Sequence, residues 1–279
     1  MNAVVIIPAR MASSRFPGKP LADICGKPMV QWVYERASQA TGISGVIVAT
    51  CDREIADAVR RFGGEAVMTS DKHRSGTDRL AEAAAELEAE IIINVQGDEP
   101  LIDPVSIEKA LAPLERGSEV MASLMVPITR EEARNANLVK VVVSLDGHAL
   151  YFSRSPIPYC RDEQARARVS ETDRHGQTEH KKSRAEGIFG HVGLYACTRD
   201  FLLRFASWEP TPLEKTEALE QLRVLEHGYR IKMVEIAQRP MAVDTPEDLE
   251  RVRDAVRGIL SDASNCATPR CCDRRVFGD

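Results

Sequence analysis

Apolar runs alternate with amphipathic stretches through residues 1–116, and this alternation constrains the fold more than any other feature of the chain. Residues 4–8, 45–50, 65–69 and 90–95 read as strands. Residues 28–40, 53–62, 77–87 and 104–116 carry apolar side chains at helical spacing. In 53–62 the inward set is Ile55, Ala58, Val59 and Phe62, and Gly63-Gly64 closes the helix. Strand followed by helix, repeated in this way, predicts a parallel sheet covered by helices on both faces. The run Ile91-Ile92-Ile93-Asn94-Val95 is the most apolar of the strands and is expected at the centre of the sheet.

Beyond residue 116 the pattern changes. Residues 120–128, 139–144 and 149–153 are strand-like with no helix between them, and Asp146-Gly147 joins the last two as a hairpin signal. They predict a smaller antiparallel extension of a mixed α/β, mainly parallel sheet of Rossmann-like form. Residues 161–187 are polar and highly charged and are expected to form a mobile loop, a candidate lid. Strand 191–197, helices 199–207 and 213–227, and strand 230–237 follow. A last helix opens at Thr245-Pro246-Glu247-Asp248, with a natural cap, a proline at the first helical position and two acids at the positive helix end. It is expected to reach about residue 260, giving one domain over 1–260 and a disordered tail over 261–279.

The net charge of −5 argues against a protein whose main partner is nucleic acid. No apolar run approaches membrane-spanning length. Seven cysteines, an odd number without a C-x-x-C pair, fit reduced thiols in a cytoplasm better than a disulfide framework.

Three sites of chemistry stand out against that frame. Arg10, Arg15 and Lys19 sit on the loop from Ala9 to Pro20, between the first strand and the first helix, where ligands of open α/β sheets bind. Arginine forks and a lysine point charge suit polyphosphate oxygens. A solvated basic loop has the same composition, and neither common phosphate-loop motif is present. Asp98, in Gln96-Gly97-Asp98-Glu99-Pro100, ends the most apolar strand and is a hard-oxygen ligand for Mg²⁺, with Asp244 as the second acid. Gln96 has the donor and acceptors that reading a base edge requires. Finally, His73, Ser75, Gly76, Thr77 and Arg79 form a polar loop that opens a helix and could contact an anion or a ribose, or simply cap the helix. Downstream polar residues, Arg154, Arg161, His191, Tyr195, Glu220, Gln221 and Arg223, each read alone as structural or solvated.

Taken in order, Pro8-Ala9-Arg10, Ser14-Arg15-Phe16-Pro17-Gly18-Lys19-Pro20-Leu21, His73-Arg74-Ser75-Gly76-Thr77, Asn94-Val95-Gln96-Gly97-Asp98-Glu99-Pro100, Tyr151-Phe152-Ser153-Arg154, Glu220-Gln221-Leu222-Arg223 and Val243-Asp244-Thr245-Pro246-Glu247-Asp248-Leu249 closely resemble the 3-deoxy-manno-octulosonate cytidylyltransferases, the CMP-Kdo synthetases of lipopolysaccharide assembly. Phe16 stands where leucine is common in that family. The resemblance covers residues 2 to about 258 and implies a homodimeric nucleotidyltransferase that uses CTP, Mg²⁺ and an acidic eight-carbon sugar. By motif position it assigns the triphosphate to Arg10 and Lys19, the cytidine to Gln96 and the 73–77 loop, and the metal to Asp98 and Asp244. Arg154, Arg161, His191, Tyr195, Glu220 and Gln221 would line the sugar pocket. Lys19 and Arg10 are then expected opposite the ion, as one half of a triphosphate clamp. The 8-amino form of the sugar, a sialic acid, or a catalytically silent nucleotide-binding role are the alternatives.

Overall fold

The computed structural model describes residues 1–12, 16–73, 75–159, 161 and 187–266. Strand β1 (Ala3–Ala9) is buried along its length because it is apolar on both sides. Its alternate residues serve two cores. Ala3, Val5, Ile7 and Ala9 face one, and Val4 and Ile6 face the other.

After β1 come a short ribbon of β2 (Asp23–Ile24) and β3 (Lys27–Pro28), then α1 (Met29–Ala37), β4 (Gly45–Thr50), α2 (Arg53–Arg61), β5 (Glu65–Met68), α3 (Gly76–Ala85), β6 (Ile91–Asn94) and α4 (Pro104–Glu115). Next are β7 (Met121–Pro127), α5 (Arg130–Ala133), β8 (Lys140–Val143), β9 (Ala149–Ser153) and β10 (Phe189–Thr198). The described chain closes with α6 (Arg199–Ala206), α7 (Pro212–Glu217), α8 (Gln221–Glu226), β11 (Lys232–Glu235) and α9 (Pro246–Cys266). Among the described residues the main sheet runs β11-β7-β10-β6-β1-β4-β5. Thus β6 is central, parallel to β1 and antiparallel to β10. Its three isoleucines are each 1% exposed or less, and such burial contributes about 1.5–3 kcal/mol per side chain.

One core packs α1, α2 and α4 against the sheet, and the other packs α3, α6 and α8. A third, smaller cluster joins β2 to α9 through Ile24, Met29, Val243, Leu249, Val252 and Val256, with Phe16 packed on it. This last contact anchors the first loop to the final helix.

The structure departs from expectation in several elements. A short helix, α5, capped by Thr129 and Glu132, stands between β7 and β8, where no helix is expected. The strand at 121–127 does not belong to the antiparallel extension: β7 lies inside the main sheet, parallel to β11 and antiparallel to β10. The extension is the β8–β9 hairpin, whose β8 pairs with β10. The stretch 213–227 is two helices, broken where Ala218 takes a left-handed backbone at φ 52°. Finally, α9 runs through Cys266, so the first six residues expected as tail are helical; residues 267–279, like most of 161–187, lie outside the described residues.

Candidate active site

The first loop is held down at both ends. The Met11 amide donates to Asp52 Oδ2 at 2.8 Å, and the Met11 carbonyl accepts from the Gly18 amide at 3.0 Å. Gly18, at φ 75°, turns the chain into a short 3₁₀ turn over Lys19–Leu21. That turn aims Lys19 inward. Its Nζ lies 2.7 Å from Asp98 Oδ2, 2.9 Å from the Val243 carbonyl and 3.7 Å from Asp244 Oδ1.

The two acids converge because backbone joins their segments. The Val243 amide donates to the Asp98 carbonyl at 2.9 Å. Asp244 then leads into the cap of α9, where Asp248 Oδ2 accepts from the Asp244 and Thr245 amides and Thr245 Oγ1 accepts from the Asp248 amide. Gly97 lets the end of β6 approach β1: a Cβ there would stand 2.9 Å from the Pro8 carbonyl oxygen. Lys19 therefore sits between the two acids. An ammonium between two carboxylates is the favourable local charge balance.

Above this triad opens a cleft of about 330 Å³ lined by Ala9, Arg10, Lys19, Ser75, Gly76, Arg79, Gln96, Asp98 and Asp244, together with Pro8, Ala12, Pro20 and Gly97. Arg10 is exposed at its rim. The opposite wall is the N-terminus of α3, where Ser75 Oγ accepts from the Asp78 amide and Asp78 accepts from the Ser75 amide, a complete capping box. A Cβ at Gly76 would stand 3.8 Å from Pro8 Cγ, and Ser75 and Gly76 bring the N-terminus of α3 to the cleft, an element that suits an anion. Gln96 Nε2 donates to the Gly193 carbonyl at 3.2 Å, which fixes its side chain at the cleft floor.

Other expected residues are placed elsewhere. His73 pairs with Glu82 of α3 and does not line the cleft. Thr77 Oγ1 turns away from it and donates to Glu220 Oε2 at 2.7 Å. Arg79 lines the cleft but is buried, with its guanidinium on Thr69 and Cys51. Arg15 lies outside the described residues.

The expected sugar residues divide into groups. Tyr195, Glu220 and Gln221 line a narrow apolar pocket with Thr77, Leu80 and Phe201. His191 is buried beside them, its ring centroid 5.4 Å from that of Tyr195. Arg154 is spent on structure: its guanidinium donates to the Glu217, Ala136 and Ala218 carbonyls. Arg161 is exposed. Arg223 holds Glu214 through two hydrogen bonds, of 2.7 and 2.5 Å, and stands 3.6 Å from Glu220. No local motif marked Asp52, which accepts from the Met11 amide, or Ser123, whose Oγ lies 2.9 Å from His191 Nε2; only the folded chain brings them in.

Burial dominates the electrostatics. It pushes the Glu99 carboxyl up to about 8, with the neighbouring Asp98 charge adding to the shift. Burial also pushes His191 down to about 3 and raises the Tyr195 phenol and the Glu220 carboxyl. Asp98 Oδ2 and Asp244 Oδ1 lie 2.7 and 3.7 Å from one ammonium nitrogen, so the two carboxylates converge on a single cation. Among the described residues no three His, Cys, Asp or Glu side chains form a ready-made cage. A donor set of two carboxylates fits Mg²⁺, which completes its shell with phosphate and water.

The family model for cytidylyltransferases matches residues 4–233. The chain is 52% identical over 262 residues to a 3-deoxy-manno-octulosonate cytidylyltransferase of Geobacter sulfurreducens, covering 92% of this chain and all of that one. It belongs to the 3-deoxy-manno-octulosonate cytidylyltransferase family. A relative of the same name from Vibrio vulnificus is 51% identical, covering 92% of this chain and 98% of that one. Within the family, a solved CMP:2-keto-3-deoxy-manno-octonic acid synthetase complexed with CTP superposes with a TM-score of 0.83 at 43% identity, covering 93% of this chain and all of that one. A 4-diphosphocytidyl-2C-methyl-D-erythritol synthase from Anaerococcus prevotii shares the fold, with a TM-score of 0.58 at 11% identity. The matched family model stops before Asp244, whereas the relatives extend across more of the chain.

Proposed function

We propose that this member of the family transfers the cytidylyl group of CTP to 3-deoxy-D-manno-octulosonate (Kdo), releasing pyrophosphate and supplying CMP-Kdo for lipopolysaccharide assembly. The observation that carries the reading is the Asp98–Lys19–Asp244 constellation at the mouth of a cleft whose far wall is a helix N-terminus. The substrates named for its relatives support it.

In this reading the anomeric hydroxyl oxygen of the sugar forms a bond to the α-phosphorus as the bond to pyrophosphate breaks, and the hydroxyl proton is released to solvent. Arg10 and the α3 amides bind phosphate oxygens, and Lys19 neutralises charge on the transferring and leaving groups. Gln96, with its Nε2 on Gly193, leaves Oε1 to accept from the exocyclic amine of cytosine. Asp98 and Asp244 would hold Mg²⁺, which, when bound, polarises phosphate oxygens and acidifies the attacking hydroxyl. Tyr195, Glu220 and Gln221 line the sugar side. No protein nucleophile is needed for direct transfer.

The reading extends to a homodimer in the cytoplasm. Leu145 and Leu150 of the β8–β9 hairpin are 110% and 62% exposed, an apolar face for a second copy. Cys25, Cys51 and Cys197 are free thiols. Among the described residues no helix is long and apolar enough to cross a membrane.

Pyrophosphate release from CTP, measured with Kdo, 8-amino-Kdo and a sialic acid, with and without Mg²⁺, tests the proposal. Release only with Kdo and Mg²⁺ is expected. Release without any sugar, or with none of the three, overturns it.

A further inference from the structure

Ser123 lies in β7, fully buried, opposite an irregularity in β10. Ser123 pairs with Tyr195 and Leu124 pairs with Val192, so one step along β7 faces three along β10. Gly193 and Leu194 are the surplus residues, a bulge. The Gly193 carbonyl goes to Gln96, on the cytidine side. The carbonyls on either side of it turn to Ser123: Oγ lies 2.9 Å from Leu194 O and 3.3 Å from Val192 O. The same Oγ lies 2.9 Å from His191 Nε2.

The protons can be counted. A serine hydroxyl has one hydrogen and two lone pairs, and a carbonyl oxygen only accepts. With its hydrogen on the bulge carbonyls, Ser123 Oγ faces Nε2 with a lone pair. The imidazole therefore donates, and Nε2 carries the hydrogen. Burial keeps the ring neutral, its pKa pushed down to about 3 with the Arg239 charge as the second cause. In a neutral imidazole with hydrogen on Nε2, Nδ1 is a bare acceptor. Phe152 and Tyr195 flank the ring, with centroids at 5.0 and 5.4 Å, and fix its plane.

We propose that Ser123 is a positioning residue that holds His191 in the Nε2–H tautomer, so that Nδ1 offers a hydrogen-bond acceptor to a hydroxyl of the sugar. The inference rests on the reading of this site as a sugar pocket. It gives His191 a defined chemical preference. An acceptor takes a hydroxyl or an ammonium and turns away a carboxylate or an ether oxygen, so the acidic group of the sugar is met by other residues.

Long-range ¹⁵N–¹H correlation spectra of the ligand-free protein read the tautomer without any substitution. A protonated Nε2 and an unprotonated Nδ1 at His191 are expected. In Ser123→Ala the Nε2–H loses its acceptor. The ring is then expected to populate both tautomers, and KM for the sugar to rise about tenfold with KM for CTP unchanged. Ser123→Thr keeps the hydroxyl and restores the single tautomer and the sugar KM. An Nδ1–H or imidazolium signal in the native protein overturns the proposal. So does Ser123→Ala with an unchanged sugar KM, or with both KM values raised together, which would mark a purely structural role. If the native protein releases no pyrophosphate with any of the sugars, the reading of the function falls and the sugar contact with it. The tautomer, read without substrate, is decided by its own spectrum.

Discussion

The ammonium of Lys19 stands beside both candidate metal acids. The Lys19–Asp98 pair is partly buried, and without the Asp98 charge Lys19 keeps the Val243 carbonyl and Asp244 as partners, so the loss is modest, about 1 kcal/mol. Asp98→Asn keeps the shape and removes the charge that phosphate chemistry needs. Its kcat is expected to fall about a thousandfold while thermal unfolding barely moves; near-native turnover at saturating Mg²⁺ would refute the metal assignment. Glu99, beside it, has a different expected signature. Its carboxyl is protonated in the folded protein up to about pH 8, against an ordinary value of 4.5. Between those values the unfolded chain binds fewer protons than the folded one, so stability is full below about 4.5 and declines as pH rises toward 8. Glu99→Gln removes that titration. In Mg²⁺-free urea unfolding, its stability relative to the parent is expected to grow from pH 5 to pH 8 by a few kcal/mol, to order of magnitude. An offset that does not vary with pH would show that Glu99 ionises normally.

At the scale of elements, the break between α7 and α8 decides where the sugar-side residues point. Periodicity reads 213–227 as one helix because Leu213, Leu219, Leu222 and Val224 recur at apolar positions. The structure interrupts it at Ala218, where the amide donates to the Glu214 carbonyl and the backbone turns left-handed. Glu220 and Gln221 then start a new helix at the pocket wall. No glycine or proline marks the break, and alanine carries about 1–2 kcal/mol of strain in that conformation. Ala218→Gly is therefore expected to be at least as stable as the parent by chemical denaturation. Glycine within a continuous helix would instead lose about 1 kcal/mol. The two outcomes separate the broken from the unbroken element.

For the molecule as a whole, the β8–β9 hairpin carries Leu145 and Leu150, the most exposed leucines among the described residues, which a monomer would leave in water. Leu150→Glu is expected to shift light-scattering mass from dimer to monomer. A parent protein that is already monomeric at working concentration would remove the homodimer from the proposal.

Much of this architecture was legible in residue order alone. Strand–helix alternation with its turn residues gave the parallel half of the sheet, since period and punctuation are local properties. The unbroken apolarity of Ile91-Ile92-Ile93 placed β6 at the centre, because only a strand covered on both faces tolerates it. Motif order located the basic loop and the two acids, which lie 146 positions apart if Asp98 is counted to Asp244. What tertiary structure alone decided is which groups meet. Lys19 between the acids, Thr77 on Glu220, Arg154 on backbone carbonyls and Ser123 under His191 are all long-range contacts. A side chain's partner depends on the full three-dimensional packing around it, and no local pattern encodes that. The first loop shows both sides of this: its charge is written in the chain, while the target of that charge is set by β6 and α9 closing around it.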